Sequence, residues 1–321
     1  MKKILILFLI VVLISGCSEL KKAEKTKELM GTIVKITVYD ADEEKAEEAI
    51  NAAFDEIERI DGLLSNYKND SEVSILNREG FVADVSDDFM VNLKKSLFYA
   101  DISEGAFDIT VQPILDLYTD SFENKKRAPT GEEINKTLKL VGYENIHIKY
   151  RNISFLKHGM KITLGGIAKG YAIDKTIEVL VEKGIDHALV DAGGDMRAVG
   201  DKGGEEWMIA LENPRNKKDY ITIIKLSDRS IATSGDYERY FDPERKFHHI
   251  VNPKTGYSAT ELISVTIIAD KAIDADAIAT AVFVLGPDEG LQLIEELENV
   301  EGLLITANRE IVKSSGFGSY T

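Results

Sequence analysis

An α+β fold is what the order of elements in this 321-residue chain predicts. Three observations carry it. Alternating runs such as Thr32–Tyr39 predict strands, and runs with apolar residues three and four apart, such as Ile50–Leu64, predict helices. The two kinds mix without the strict βαβ alternation of a doubly wound parallel sheet. The composition, 44% apolar and 29% charged with 6 prolines, is that of a globular protein long enough to bury a core without cross-links.

From the N-terminus, Lys2 and Lys3 precede an unbroken apolar run of eleven residues, Ile4–Ile14. As helix it would reach about 16 Å, short of the ~30 Å that a bilayer core requires, so it reads as a secretory signal and not a span. Ser15-Gly16-Cys17 closes the run, and small residues ahead of the only cysteine resemble the lipobox of bacterial lipoproteins. An ordinary signal peptide with an incidental cysteine is the other reading. Acyl chains such as palmitate contribute about 0.8 kcal/mol per buried CH₂, so two or more anchor stably. The expected arrangement is a signal peptide at 1–16, a lipidated Cys17 with a polar tether through 28, and an exported domain at 29–321 facing an envelope compartment. A lone thiol excludes an intrachain disulfide and a thiolate zinc cage. With 39 basic against 55 acidic residues, the formal charge of −16 disfavours nucleic acid as a partner, and adsorption to anionic lipid through protein charge.

Strand Thr32–Tyr39 comes first, and Asp40 with Glu43 offers a capping box for the helix after it. That helix places Ile50, Phe54, Ile57, Ile60 and Leu64 on one face. Ser86 opens a second helix with Phe89, Leu93 and Leu97 inward, and short strands are predicted near Phe107–Val111 and Ile146–Tyr150. The second half repeats this grammar. Strand Lys161–Leu164 runs into Gly165-Gly166, and a helix buries Ile173, Ile177, Leu180 and Val181 before closing at Gly184. Strand Ala188–Val190 leads to Gly193-Gly194; strands Trp207–Glu212, Tyr220–Leu226 and Ser264–Ala269 and helices Ala275–Leu285 and Asp288–Leu297 complete the series.

Four segments are too polar or glycine-rich for plain structure. In Gly165-Gly166-Ile167-Ala168-Lys169-Gly170-Tyr171, paired glycines before a helix let backbone approach a ligand, and Lys169 in the first turn is misplaced unless an anion lies nearby. A tight turn with a solvent-facing lysine explains these residues as well. Asp191-Ala192-Gly193-Gly194-Asp195 brackets a double glycine with carboxylates, and a solvated turn is the plainer reading. His248-His249-Ile250-Val251-Asn252-Pro253-Lys254-Thr255-Gly256 holds two of the 5 histidines, of which at most one points into a site if the segment is a strand. In Asp274-Ala275-Asp276-Ala277-Ile278-Ala279-Thr280, Asp276 and Thr280 stand one helical turn apart among small residues, a hard-oxygen pair suited to Mg²⁺. An aspartate capping the helix is the other reading.

Together these segments resemble the exported FAD:protein FMN transferases, the ApbE-type flavin transferase lipoproteins. Matching motifs run from Met30-Gly31-Thr32 to Thr280 and include Leu64-Ser65-Asn66-Tyr67, Gly105-Ala106-Phe107-Asp108-Ile109-Thr110, Ala192-Gly193-Gly194-Asp195 and Thr233-Ser234-Gly235-Asp236-Tyr237. The resemblance implies a duplicated α+β architecture related to the tunnelling fold, with FAD between the halves. It implies transfer of FMN from FAD to a Thr or Ser hydroxyl of a partner protein, such as an FMN-binding subunit of an envelope redox complex, with release of AMP. By position, Met30, Tyr67, Ala106, Phe107, Asp108, Thr163, Lys169 and Ile250 match FAD-contacting places, and Gly166 (through its carbonyl), Asp276 and Thr280 match Mg²⁺ places. The family usually has Asp where this chain has Thr163, which removes a charge from that contact. His249, able to titrate near neutral pH, is the expected base for the acceptor hydroxyl. The competing expectations are an FAD pyrophosphatase giving FMN and AMP, and an exported FAD-binding protein without activity.

Overall fold

The computed structural model describes residues 20–321; the segment 1–16 expected to be a signal peptide, and Cys17, lie outside the described residues. In chain order the elements are β1 (Lys21–Leu29), β2 (Thr32–Asp40), α1 (Glu43–Leu64), α2 (Glu72–Glu79), β3 (Phe81–Val82), α3 (Asp87–Ile102), α4 (Gln112–Glu123), α5 (Gly131–Thr137), β4 (Ile146–Lys149), β5 (Asn152–Phe155) and α6 (Ala168–Glu182). There follow β6 (Ala188–Ala192), β7 (Asp195–Val199), β8 (Trp207–Asn213), β9 (Asn216–Leu226), β10 (Ser230–Gly235), β11 (Leu262–Ala269), α7 (Ala272–Leu285), α8 (Pro287–Glu296), β12 (Glu301–Thr306) and β13 (Ile311–Lys313). Eight strands make one sheet in the order β1-β2-β6-β7-β10-β11-β12-β13, every neighbouring pair antiparallel. The fold is α+β, as the unalternating order of elements predicts.

Helices α1, α6 and α7 cover one face, and the β8–β9 hairpin covers part of the other. Strand β11 shows why the core needs both layers. All eight of its residues are buried: Val265, Ile267 and Ala269 join the helix-side cluster, while Ile263 and Ile268 join the hairpin-side cluster with Trp207, Leu211 and Ile224. The apolar stripe of α1 is fully internal, from Ile50 through Leu64.

Several expectations are corrected. The tether placed at 17–28 is, from Lys21 on, the edge strand β1, paired with β2 along its whole length. Its lysines hid it: Lys21 and Lys27 reach across to Glu43 and Glu58 of α1, each at 2.9 Å, so charge on this strand blunts an exposed edge and does not mark a loop. Asp42, not Asp40, caps α1, accepting the N–H groups of Glu44 and Lys45. No strand forms at Phe107–Val111; Asp108 instead caps a single 3₁₀ turn, Ile109–Val111. Residues Lys161–Leu164 form no strand ladder, because Asn77 takes both backbone groups of Ile162 with its side-chain amide. Val181 is exposed, at 46%, and does not join the buried face of α6. Helices α2, α4 and α5 and strands β10, β12 and β13 have no counterpart among the predicted elements.

Candidate functional site

The sheet divides at its middle. Strands β7 and β10 pair only through Arg197↔Ser230 and Met196↔Ile231. Where that ladder stops, the Asp195 carboxylate accepts the N–H of Thr233 at 3.0 Å, so a side chain holds the two strands together. Its other oxygen meets the Lys169 ammonium at 2.8 Å, with the Asp195 side chain only 3% exposed. Lys169 is therefore not the solvent-facing or unpartnered cation that its place in a first turn implied. Burial works against its charge, but the carboxylates of Asp195 and Asp276 outweigh that and hold its pKa above the ordinary lysine value.

Helices α6 and α7 meet at Gly170. A Cβ there would lie 2.2 Å from the Ala272 carbonyl oxygen and 2.8 Å from Ile273 Cα, so only glycine allows the contact. The approach lets the Gly170 N–H donate to Asp276 Oδ2 at 3.0 Å. One turn further along α6, buried Asp174 accepts the N–H groups of Ala272 and Ile273 at 2.9 and 3.0 Å, capping α7 from a neighbouring helix. Arg197 completes this pair from β7. Because α7 begins at Ala272, Asp276 stands inside the helix, and its reading as a cap is excluded.

Asp276 is 6% exposed. Burial, then the neighbouring Asp195, raises its pKa, while Lys169 and the Gly170 N–H oppose the rise. Among the described residues its second oxygen takes no hydrogen bond. One turn along α7, the Thr280 hydroxyl lies 3.3 Å from that of Ser234 on β10. It also faces Gly166: a Cβ on Gly166 would stand 3.0 Å from Thr280 Oγ1 and 3.3 Å from Phe107. A buried carboxylate with a free oxygen, a hydroxyl one helical turn on and a glycine backbone facing that hydroxyl thus lie together, a donor set that fits a hard cation. No cluster of three or more His, Cys, Asp or Glu forms among the described residues, so a soft-metal cage does not.

The adjacent histidines differ sharply. His248 is 4% exposed, its ring edge-on to Phe283 at 5.7 Å. Nε2–H donates to the Ala259 carbonyl at 2.7 Å and Nδ1 accepts from the Ile250 N–H, so both nitrogens are committed. His249 approaches the Arg239 carbonyl with Nδ1 at 3.3 Å. A carbonyl only accepts, so Nδ1 carries the proton and Nε2 keeps its lone pair. Burial first, then the cations of Arg239 and Lys169, pushes the His249 pKa down to about 4.

The remaining expected residues are spread unevenly. Met30 and Gly31 form the two-residue β1–β2 turn, both at positive φ (52° and 71°). Such a turn favours Asn-Gly, so a methionine here is strained, and its side chain packs against both helix-side clusters. Ala106, Phe107 and Ile250 are buried, and of the three Phe107 lies against Gly166. The Thr163 hydroxyl accepts the Gly165 N–H at 3.1 Å, shaping the glycine turn. Asp108 turns inward: its carboxylate takes the N–H and hydroxyl of Thr110 and the N–H of Tyr143, and burial pushes its pKa up to about 6. Tyr67, 83% exposed, stands apart from the buried cluster.

The model of the ApbE family matches residues 30–304. The chain belongs to the ApbE family. A FAD:protein FMN transferase of Haemophilus influenzae is 31% identical over 316 residues, spanning 92% of this chain and 90% of that protein. One of Treponema pallidum is 29% identical over 326 residues, spanning 94% and 89%. Among solved structures, the ApbE protein of Thermotoga maritima superposes with a TM-score of 0.85 at 33% identity, over 94% of this chain and 99% of that one. The flavin transferase ApbE of Vibrio cholerae does so with a TM-score of 0.82 at 27% identity, over 94% and 100%.

For this ApbE-family chain, sequence reasoning singled out the segments holding Asp195 and Ser234 without giving either residue a role, and passed over Asp174 and Arg239. Asp195 carried a signal, an acid directly after a double glycine; the roles of the others became visible only through contacts between distant segments.

Proposed function

We propose that this chain transfers FMN from FAD to a Thr or Ser hydroxyl of a partner protein, forming a phosphoester and releasing AMP. The observation that carries the proposal is the seam where Lys169, Asp195, Asp276 and Thr280 converge. The names of the relatives at about 30% identity support transfer of FMN from FAD to a protein. The acceptor hydroxyl gives its proton to His249 Nε2 as its oxygen attacks the FMN phosphorus. The P–O bond to the AMP phosphate breaks, and its electron pair leaves with AMP. Burial, then the cations of Arg239 and Lys169, holds the His249 pKa low; phosphate anions beside those cations would offset the cations' share and raise it toward the range of an effective base.

Asp276, Thr280 and the Gly166 carbonyl would hold Mg²⁺. When bound, the ion neutralises charge at the pyrophosphate. Phe107, Met30 and Ile250 would offer apolar surface to flavin or adenine, and Tyr67 an exposed ring. FAD between two duplicated halves accords with the seam, since β2 leading into α1 and β11 leading into α7 repeat one strand-to-helix step on either side of it. Lipidation of Cys17 would anchor the domain to the bacterial cell membrane. Strand β1 then carries the chain about 30 Å to the Met30 turn, so the cleft would open far from the point of attachment. Cys17→Ser is expected to release active protein into the soluble envelope fraction; retention in the membrane would remove the anchor.

The test is to incubate the protein with FAD, Mg²⁺ and a candidate acceptor, then weigh the acceptor and quantify AMP. Acceptor mass increased by one FMN, with AMP appearing only when acceptor is present, supports transfer. AMP without acceptor makes the protein a pyrophosphatase, and FAD binding with neither product makes it a binding protein.

A further inference from the structure

The seam is short of positive charge. Lys169 is tied to Asp195 at 2.8 Å with Asp276 close by, so these three side chains together carry a net negative charge when both carboxylates are ionised. A pyrophosphate adds two more negative charges, and cleavage develops another on the departing nucleotide. A divalent ion offsets part of this and leaves an excess. The other arginines near the seam are committed: Arg197 to Asp174, and Arg215 to both oxygens of Asp236 at 2.7 and 2.5 Å. Arg239 is different. It is exposed, and among the described residues its guanidinium has no carboxylate partner, in a chain with a large acidic excess. Its Nη2 lies 3.9 Å from where a Cβ on Gly31 would stand, over the strained Met30–Gly31 turn. Its own carbonyl fixes the His249 tautomer.

We propose that the Arg239 guanidinium binds the FAD pyrophosphate from the rim of the cleft, supplying the positive charge that Lys169, neutralised by Asp195, does not. This rests on the flavin transferase reading and adds to it a substrate-touching residue. Arg239 is placed to act on the phosphates, because its backbone already orients the base and its side chain is free to meet an anion arriving between the Met30 turn and α6. A planar fork suits two phosphate oxygens better than an ammonium does, so lysine is expected to replace it only in part.

The experiment compares Arg239→Gln and Arg239→Lys with wild type in two assays. Flavin fluorescence titrations in EDTA measure affinity for FAD and for riboflavin, which lacks phosphates; turnover is then measured with FAD, Mg²⁺ and acceptor. Arg239→Gln is expected to weaken FAD binding 10- to 100-fold, leave riboflavin binding within two-fold, and lower turnover at least 100-fold. Arg239→Lys should fall between. Because the carbonyl is retained in both variants, His249 stays oriented. Equal losses for FAD and riboflavin would assign Arg239 to supporting the turn and overturn the proposal, as would FAD binding and turnover within two-fold of wild type. If wild type binds FAD but transfers nothing, the transferase reading fails while the titrations still decide Arg239. Wild type that binds no FAD overturns both.

Discussion

Replacing Gly170 with alanine tests the geometry on which the site depends. The added Cβ would stand 2.2 Å from the Ala272 carbonyl oxygen, 2.5 Å from its carbon and 2.8 Å from Ile273 Cα. All three are backbone atoms in the first turn of α7, so no rotamer change relieves the clash, and the helices must part by about 1 Å to restore an ordinary contact. Overpacking of this kind costs about 1–3 kcal/mol. Separation also stretches the Asp174 bonds to Ala272 and Ile273 and the Gly170 bond to Asp276, charge-assisted bonds worth about 1.5–3 kcal/mol each when intact. Partial loss brings the total to roughly 3–5 kcal/mol, a drop in Tm on the order of 10 °C. Because Asp276 and Thr280 ride on α7, a displacement of about 1 Å should cost roughly 100-fold in turnover. Thermal unfolding by circular dichroism and an FAD turnover assay read both effects. Gly62→Ala is the control: nothing lies within 4 Å of its Cβ position in α1, so it should stabilise by about 0.5–1 kcal/mol. Wild-type Tm and turnover in Gly170→Ala would show that α6 and α7 do not meet as described.

Met30→Asn relieves a strained turn residue but gives up its packing, so Tm should stay within about 2 °C while FAD affinity falls about 10-fold; unchanged affinity would leave Met30 a turn residue only. His248→Ala should destabilise by about 2–4 kcal/mol, leaving a cavity against Phe283 and the Ala259 carbonyl unpaired, whereas His249→Ala should cost 10²- to 10⁴-fold in transfer with stability nearly unchanged. The opposite pattern would mean that the neighbours' roles are exchanged. Burial raises the folded pKa of Asp108 to about 6, above the ordinary aspartate value of about 4, so its contribution to stability is fully present below about pH 4 and is lost as pH rises through about 6. Relative to Asp108→Asn, wild type should therefore lose about 3 kcal/mol between pH 3.5 and 7 in denaturant titrations; parallel pH profiles would show that the carboxyl is not buried as described.

Local physics made much of this protein legible from its residues alone. The stripe Ile50–Leu64, the Ser86 cap, the Gly184 stop and the glycine turn before Lys169 each act within one or two helical turns, where side-chain periodicity and backbone preference dominate. The same kind of reading failed wherever a partner distant in sequence decided the outcome. Strand β1 is too charged to look like a strand until α1 supplies the acids opposite its lysines. Lys161–Leu164 has strand character but no ladder, because the Asn77 amide reaches its backbone first. Motif order alone placed Lys169, His249, Asp276 and Thr280 together, and composition alone gave the acidic, disulfide-free character. Only the tertiary structure decided that Lys169 is neutralised by Asp195, that Asp276 lies within α7 rather than at its cap, that His248 is structural, and that Arg239 has no carboxylate partner among the described residues. These are electrostatic facts between segments 26 and 106 residues apart or set by side-chain direction across a fold, and such distances are fixed by packing, not by local sequence.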